Sequence, residues 1–155
     1  MSVVVCKDMT DAEAELESFI VRFLPEVAAV GREAVAKLRQ RLPEADVLVY
    51  DNYNALAVGF APGEKSSQAI MSIAFYPRWC SLFLTRRVDD PEKRLQGTGG
   101  VVGHIVLKAA ADLNDAYVCG LIDQAMIGSK TPFDPAHKGR LIIKSVSAKQ
   151  RPRRP

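Results

Sequence analysis

Asp46-Val47-Leu48-Val49-Tyr50-Asp51-Asn52-Tyr53-Asn54-Ala55-Leu56-Ala57-Val58-Gly59-Phe60-Ala61 is the stretch whose reading decides the fold. Apolar side chains recur at every second position, the period of a β-strand, on both sides of Asn52-Tyr53-Asn54. Asn tolerates left-handed backbone geometry, so those three residues read as a turn between strands Asp46–Asp51 and Ala55–Ala61. The second strand has unequal faces: Leu56, Val58 and Phe60 on one, Ala55, Ala57 and Gly59 on the other. A row of small side chains permits the close approach of a helix or leaves room for a ligand; the helix is the expected occupant.

The alternation continues to Leu107. Pro62-Gly63-Glu64-Lys65-Ser66-Ser67 is a polar loop and Ala69–Phe75 a third strand. Tyr76-Pro77-Arg78-Trp79 is a turn and Cys80–Thr85 a fourth strand. Asp90-Pro91 through Gly97 carries the signature of a one-turn helix, and Val101–Leu107 is a fifth strand. Runs this closely spaced pair antiparallel, because a parallel crossover needs a dozen residues or more.

Upstream the period is that of a helix. Thr10-Asp11-Ala12-Glu13 is a capping-box pattern, and Leu16, Phe19, Ile20 and Phe23 follow as one apolar stripe. Pro25 opens a second helix with Val27, Val30, Ala34, Leu38 and Leu42 inward, ended by Pro43. Downstream, Asp112 with Asp115 caps a third helix whose apolar side is Tyr117, Val118, Leu121, Ile122 and Ala125. Leu141–Ser147 adds a short edge strand. The expected architecture is α+β: two N-terminal helices and a C-terminal helix packed on a five-stranded antiparallel sheet. One domain spans residues 1–147, and residues 148–155 form a basic tail that is disordered alone.

Composition supports one globular domain: 155 residues, 48% apolar and 25% charged. No apolar run approaches the roughly 18 residues of a membrane span. The first residues lack the form of a signal peptide, so a cytosolic location is the default expectation. Cys6, Cys80 and Cys119 are an odd number with no close pair, which suits reduced thiols and not a zinc ribbon. The formal charge of +3 is uneven. Lys144, Lys149, Arg151, Arg153 and Arg154 sit in the last fifteen residues, and the remaining body is slightly acidic.

Four groups of residues carry candidate chemistry. Tyr50, Asp51, Asn52, Tyr53 and Asn54, with Tyr76, Arg78 and Trp79 at another turn, supply aromatic and polar groups for a ligand pocket; the alternative is turn chemistry with rings on the rim. Gly97, Thr98, Gly99 and Gly100 offer converging backbone N–H groups for an anion. They lie between a short helix and a strand, the wrong order for a nucleotide fingerprint, so a hairpin entry is the simpler reading. Asp11, Glu13, Glu15 and Glu17 form either a solvated helix face or a cation-binding ridge. Lys149, Arg151, Arg153 and Arg154 suit a solubilising tail or a phosphate-binding arm with weak, salt-dependent nucleic-acid binding, without interleaved aromatics for stacking. His104 on the fifth strand and His137 in a loop have no second ligand at metal spacing, and no nucleophile–base arrangement is visible.

Several short motifs in order resemble the YdhG-like family of small bacterial domains. They are Phe23-Leu24-Pro25-Glu26, Tyr50-Asp51-Asn52-Tyr53-Asn54-Ala55, Tyr76-Pro77-Arg78, Asp90-Pro91 leading into Leu95-Gln96-Gly97-Thr98-Gly99, and His104-Ile105. The resemblance covers about residues 19–128. It implies a frataxin-like layout and, since some members are described as intracellular iron chaperones, delivery of Fe2+ to a cluster or haem assembly protein. The carboxylates available for iron are Asp11, Glu13, Glu15 and Glu17, hard oxygen ligands for a hard cation. Many relatives carry Gly-x-Gly-Lys followed by Arg-His, whereas this chain has Gly100 and Gly103 at the basic positions. The expected function is a small binding domain with iron delivery as its family-implied form. A nucleic-acid accessory protein acting through the tail is the alternative, and a second copy of the chain is a further candidate partner.

Overall fold

Pro25 at the first position and Pro43 just past the C-cap Leu42 bracket a 17-residue helix, Pro25–Arg41 (α2). It follows Asp11–Ile20 (α1). The computed structural model describes residues 11–85, 87–97 and 100–155; the expected cap at Thr10 lies outside them. Leu16, Phe19, Ile20 and Phe23 are buried, as their spacing requires.

The strands are Asp46–Asp51 (β1), Leu56–Ala61 (β2), Met71–Phe75 (β3), Cys80–Thr85 (β4), Val102–Leu107 (β5) and Leu141–Val146 (β6). A third helix, Ala116–Ile127 (α3), precedes β6. The sheet order is β5-β4-β3-β2-β1-β6. The first five strands form an antiparallel meander, with Val49 opposite Val58, Val58 opposite Ile73 and Ile73 opposite Leu82.

The five-stranded antiparallel expectation is corrected to a six-stranded mixed sheet, because β6 pairs parallel to β1. The physical reason is the long connection. After β5 the chain passes through α3 and a loop, enough residues to cross the sheet and return along its other edge. A register shift between Val49 and Tyr50 marks the junction with β6.

One face of the sheet holds Val47, Val49, Leu56, Val58, Phe60, Met71, Ile73, Phe75, Leu82 and Leu84. These share a single core with Leu16, Phe19, Phe23, Val27, Leu38, Val118, Leu121 and Ile122 of the helical layer. All three of the described α-helices therefore lie on that face. Each fully buried Phe or Leu is worth about 1.5–3 kcal/mol relative to exposure. Gly31 lets α2 press onto the sheet: a Cβ there would collide with the Phe75 ring. The core thus reaches backbone-close packing at that crossing.

Two local expectations also change. Asp90–Gly97 is a turn, not a helix. The Asp90 carboxylate accepts from the backbone N–H of Arg94 and Leu95, both at 3.0 Å, and Lys93 takes a positive φ of 52°. The two aspartates expected to cap one helix cap two. Asp112 accepts from the backbone of Lys108 and Ala109 and fixes the short 3₁₀ turn Ala110–Asn114; Asp115 accepts from Val118 N–H and starts α3.

Candidate functional site

Strand alternation sends Ala57, Gly59, Ser72, Ala74, Ser81, Phe83, His104 and Val106 to the face opposite the helices. Among the described residues, no helix packs over the small side chains of β2. A loop takes part of the role: Ala69 packs 3.7 Å from the position a Gly59 Cβ would occupy, and the Tyr50 hydroxyl bonds to Ser66 Oγ. Among the described residues, no helix covers the remainder of the face, where Ser72 and Phe83 are half-buried and Val106 is exposed.

On that open face lies a cavity of about 560 Å³ between two strand-connecting turns. Asn52, Tyr53 and Asn54 form one wall, Tyr76 and Phe83 another, and Ala57, Ser72 and Ala74 the floor. The first turn is closed by the Asn52 N–H to Ala55 carbonyl bond at 2.9 Å, and the second by Tyr76 N–H to Trp79 carbonyl at 2.8 Å. Tyr76 stacks on Trp79 with centroids 4.9 Å apart and planes 21° from parallel. Burial pushes the Tyr76 phenol above its ordinary pKa, so it enters the site as a neutral donor. Phe83 leans on His104 at 5.4 Å. Tyr53 is 48% exposed, its ring 5.7 Å from the Arg151 guanidinium carbon. Among the described residues, no charged side chain lines the cavity.

Four of the eight sequence candidates, Asn52, Tyr53, Asn54 and Tyr76, thus meet in one cavity. Trp79 backs Tyr76 without lining it, Arg78 stays outside it, and Tyr50 turns toward Ser66. Ser72, Ala74, Phe83 and Ser147 were not foreseen as cavity residues. Strand alternation places the first three on the Ala57 face, and that was the signal available.

Asp51 belongs elsewhere. Its side chain points to the helical face and is 1% exposed. There Arg153 donates to Asp51 Oδ1 at 2.7 Å and to the Asn52 carbonyl at 2.5 Å, with its guanidinium carbon 5.6 Å from the Phe23 ring centroid. Arg22 stands 3.7 Å from Asp51 Oδ2. The tail, expected to be free and disordered beyond residue 147, runs back along the body. Arg151 N–H bonds to the Tyr53 carbonyl, Gln150 to the Asp51 carbonyl, and Arg154 to the Arg22 carbonyl. Proline and charge reduced its propensity to order alone, but a buried carboxylate 102 residues away supplies the missing partner.

Two of the four acids of α1 are also engaged, while Asp11 and Glu15 are exposed. Glu13 receives two bonds from Arg39 and Glu17 two from Arg32, all at 2.8–2.9 Å. Fork-on-carboxylate pairing with α2 ties Glu13 and Glu17 to arginines. Among the described residues, no group of three or more His, Cys, Asp and Glu side chains is placed to hold a metal. In the glycine loop, Gly97 and Gly100 take positive φ values of 108° and 76°, a geometry that favours glycine. Thr98 and Gly99 lie outside the described residues.

A second buried carboxylate, Asp46, accepts from His137 Nε2 at 2.9 Å, Arg140 N–H at 2.9 Å and the Arg140 guanidinium at 3.1 Å. Burial alone raises its pKa; the bonds from His137 and Arg140 outweigh it and hold the carboxyl below its ordinary value. This cluster anchors the loop before β6 to the start of β1. Among the described residues, no helix is long and apolar enough to cross a membrane.

Compared with protein-family models, curated proteins and solved structures, the chain matches none.

Proposed function

We propose that this α+β domain is a ligand-binding protein whose site is the open face of the sheet, and that the ligand presents a flat, uncharged ring system. The observation that carries this is the 560 Å³ cavity bounded by Tyr53, Tyr76 and Phe83 over a floor of Ala57, Ser72 and Ala74. Its size falls in the range of about 300–1,000 Å³ usual for small-molecule pockets. Aromatic walls favour stacking on a planar ring. The Asn52 and Asn54 amides offer both donors and acceptors to a ring edge. The uncharged lining imposes no ionic requirement on the part of the ligand that sits there.

This reading takes the place of iron delivery through α1, whose Glu13 and Glu17 are committed to arginines. It is also preferred to nucleic-acid binding through the tail, where Arg153 is buried against Asp51 and Lys149, Arg151 and Arg154 stay exposed. The test is calorimetric titration of the purified chain with adenosine and with riboflavin, two uncharged heteroaromatic probes. Saturable binding is expected for at least one, and Ala57→Leu, which fills the floor without touching the core, is expected to abolish it while leaving the unfolding temperature in place. Absence of binding to both, or binding that survives Ala57→Leu, would overturn the assignment.

A further inference from the structure

Ser72 and Phe83 line a second cavity as well, of about 580 Å³, so the two spaces meet along β3 and β4. The chemistry changes at that junction. Beyond Ser72 the described lining residues include Arg87 and Lys130 together with the hydroxyls of Ser67, Thr85 and Thr131, and no acidic residue, while Ser129 Oγ donates to the Thr131 carbonyl at 2.7 Å. Among the described residues, neither the Arg87 guanidinium nor the Lys130 ammonium has an ion-pair or hydrogen-bond partner. The cavity is held open by a cross-link between the loops on its two sides: Gln68 Nε2 donates to Thr131 Oγ1 at 3.2 Å.

We infer that the second cavity is the anion-binding half of the same site, and that the ligand is a planar heteroaromatic compound carrying a phosphate. The inference rests on the reading of the first cavity as a ring site. Two unpaired cations beside hydroxyl donors, with no carboxylate among the described lining residues to neutralise them, make a place where a phosphate gains charge-assisted hydrogen bonds. Geometry gives the ligand its length. From Ala74, on the floor of the ring cavity, to Ile70, just before β3 and on the wall of the cationic one, the extended chain covers about 13 Å at roughly 3.3 Å per residue. A ring with a phosphate on a sugar or polyol arm spans the two; a bare ring leaves the cations unanswered, and a bare phosphate leaves the aromatic walls unanswered.

The experiment compares two pairs of probes that differ only by a phosphate, adenosine with adenosine monophosphate and riboflavin with flavin mononucleotide, on the full chain. The phosphorylated member is expected to bind about tenfold more tightly at low salt, the order of one charge-assisted contact at an exposed site. That ratio is expected to fall toward one in Arg87→Gln/Lys130→Gln and as ionic strength rises. If the unphosphorylated probe binds and the phosphate adds nothing, the anion half is overturned and the ring site stands. A phosphate gain that persists in the double variant also overturns it, since the anion is then held elsewhere. If no member of either pair binds, both readings fall together.

Discussion

Replacing Arg153 by Met removes the guanidinium that fills the space between Asp51 and Phe23, and keeps a side chain long enough to occupy it. In the native protein the Arg153 side chain is 2% exposed and the Asp51 side chain 1%, with 2.7 Å between them. Arg22, 48% exposed and 3.7 Å from the other carboxylate oxygen, lacks hydrogen-bond contact and cannot replace it. The variant therefore strands a buried carboxylate and also leaves the Asn52 carbonyl without its bond from Arg153. Breaking one side of a buried pair costs about 3–5 kcal/mol. For a domain of this size each kcal/mol moves Tm by about 2–4 °C, so a fall of roughly 6–20 °C is expected by circular dichroism. Asp51→Asn in the same background is expected to recover part of the loss, because it removes the uncompensated charge; the double-mutant cycle reads the coupling. A change below about 1 kcal/mol for Arg153→Met would refute the reasoning, since it would mean that the C-terminal segment does not dock on the body.

The other predictions concern separate parts of the fold. Gly31→Ala drives a methyl into the Phe75 ring and is expected to destabilise by about 1–3 kcal/mol in urea unfolding, as overpacking does. Because the folded pKa of Asp46 is depressed, its contribution to stability is present above the ordinary carboxylate value near 3.9 and is lost as pH falls through the lower folded value. The stability gap between wild type and Asp46→Asn should accordingly narrow below about pH 4, and a gap that widens there would contradict the assignment. Burial pushes the Cys80 thiol up to about 12, and its sulfur lies 3.5 Å from the Val27 carbonyl. Peptide mapping after treatment with a thiol reagent at neutral pH should find Cys80 unmodified until the protein is unfolded, and half-buried Cys119 modified earlier.

The meander was legible because its two faces differ so sharply in composition: Leu56, Val58 and Phe60 announce one side, Ala55, Ala57 and Gly59 the other. What covers each face was not legible, since small residues admit a helix as readily as they admit a ligand. The parallel pairing of β6 with β1 was hidden because it depends on where a long connection lands, and Leu141–Val146 carries no local mark of direction. In the site, Tyr53 and Tyr76 could be named as rim residues from turn chemistry alone. Grouping Asp51 with them overlooked the period of the strand, which sends Asp51 and Tyr50 to opposite faces. The ordering of the tail is not legible for a different reason. Its arginines and prolines have no tendency to order by themselves, and the carboxylate and carbonyls that order Arg153 lie about one hundred residues earlier. The acidic side of α1 looked free because Arg32 and Arg39 sit on the next helix, and only the packing of α1 against α2 brings the charges together.

The most direct measurement is an amide NMR titration of the full chain with riboflavin and, separately, adenosine. The account predicts that shifts concentrate at Asn52–Ala57, Ser72–Tyr76 and Phe83, the residues around the open-face cavity, and spare α1 and α2. Shifts confined to the helical layer, or a spectrum unchanged by saturating amounts of both probes, would contradict it.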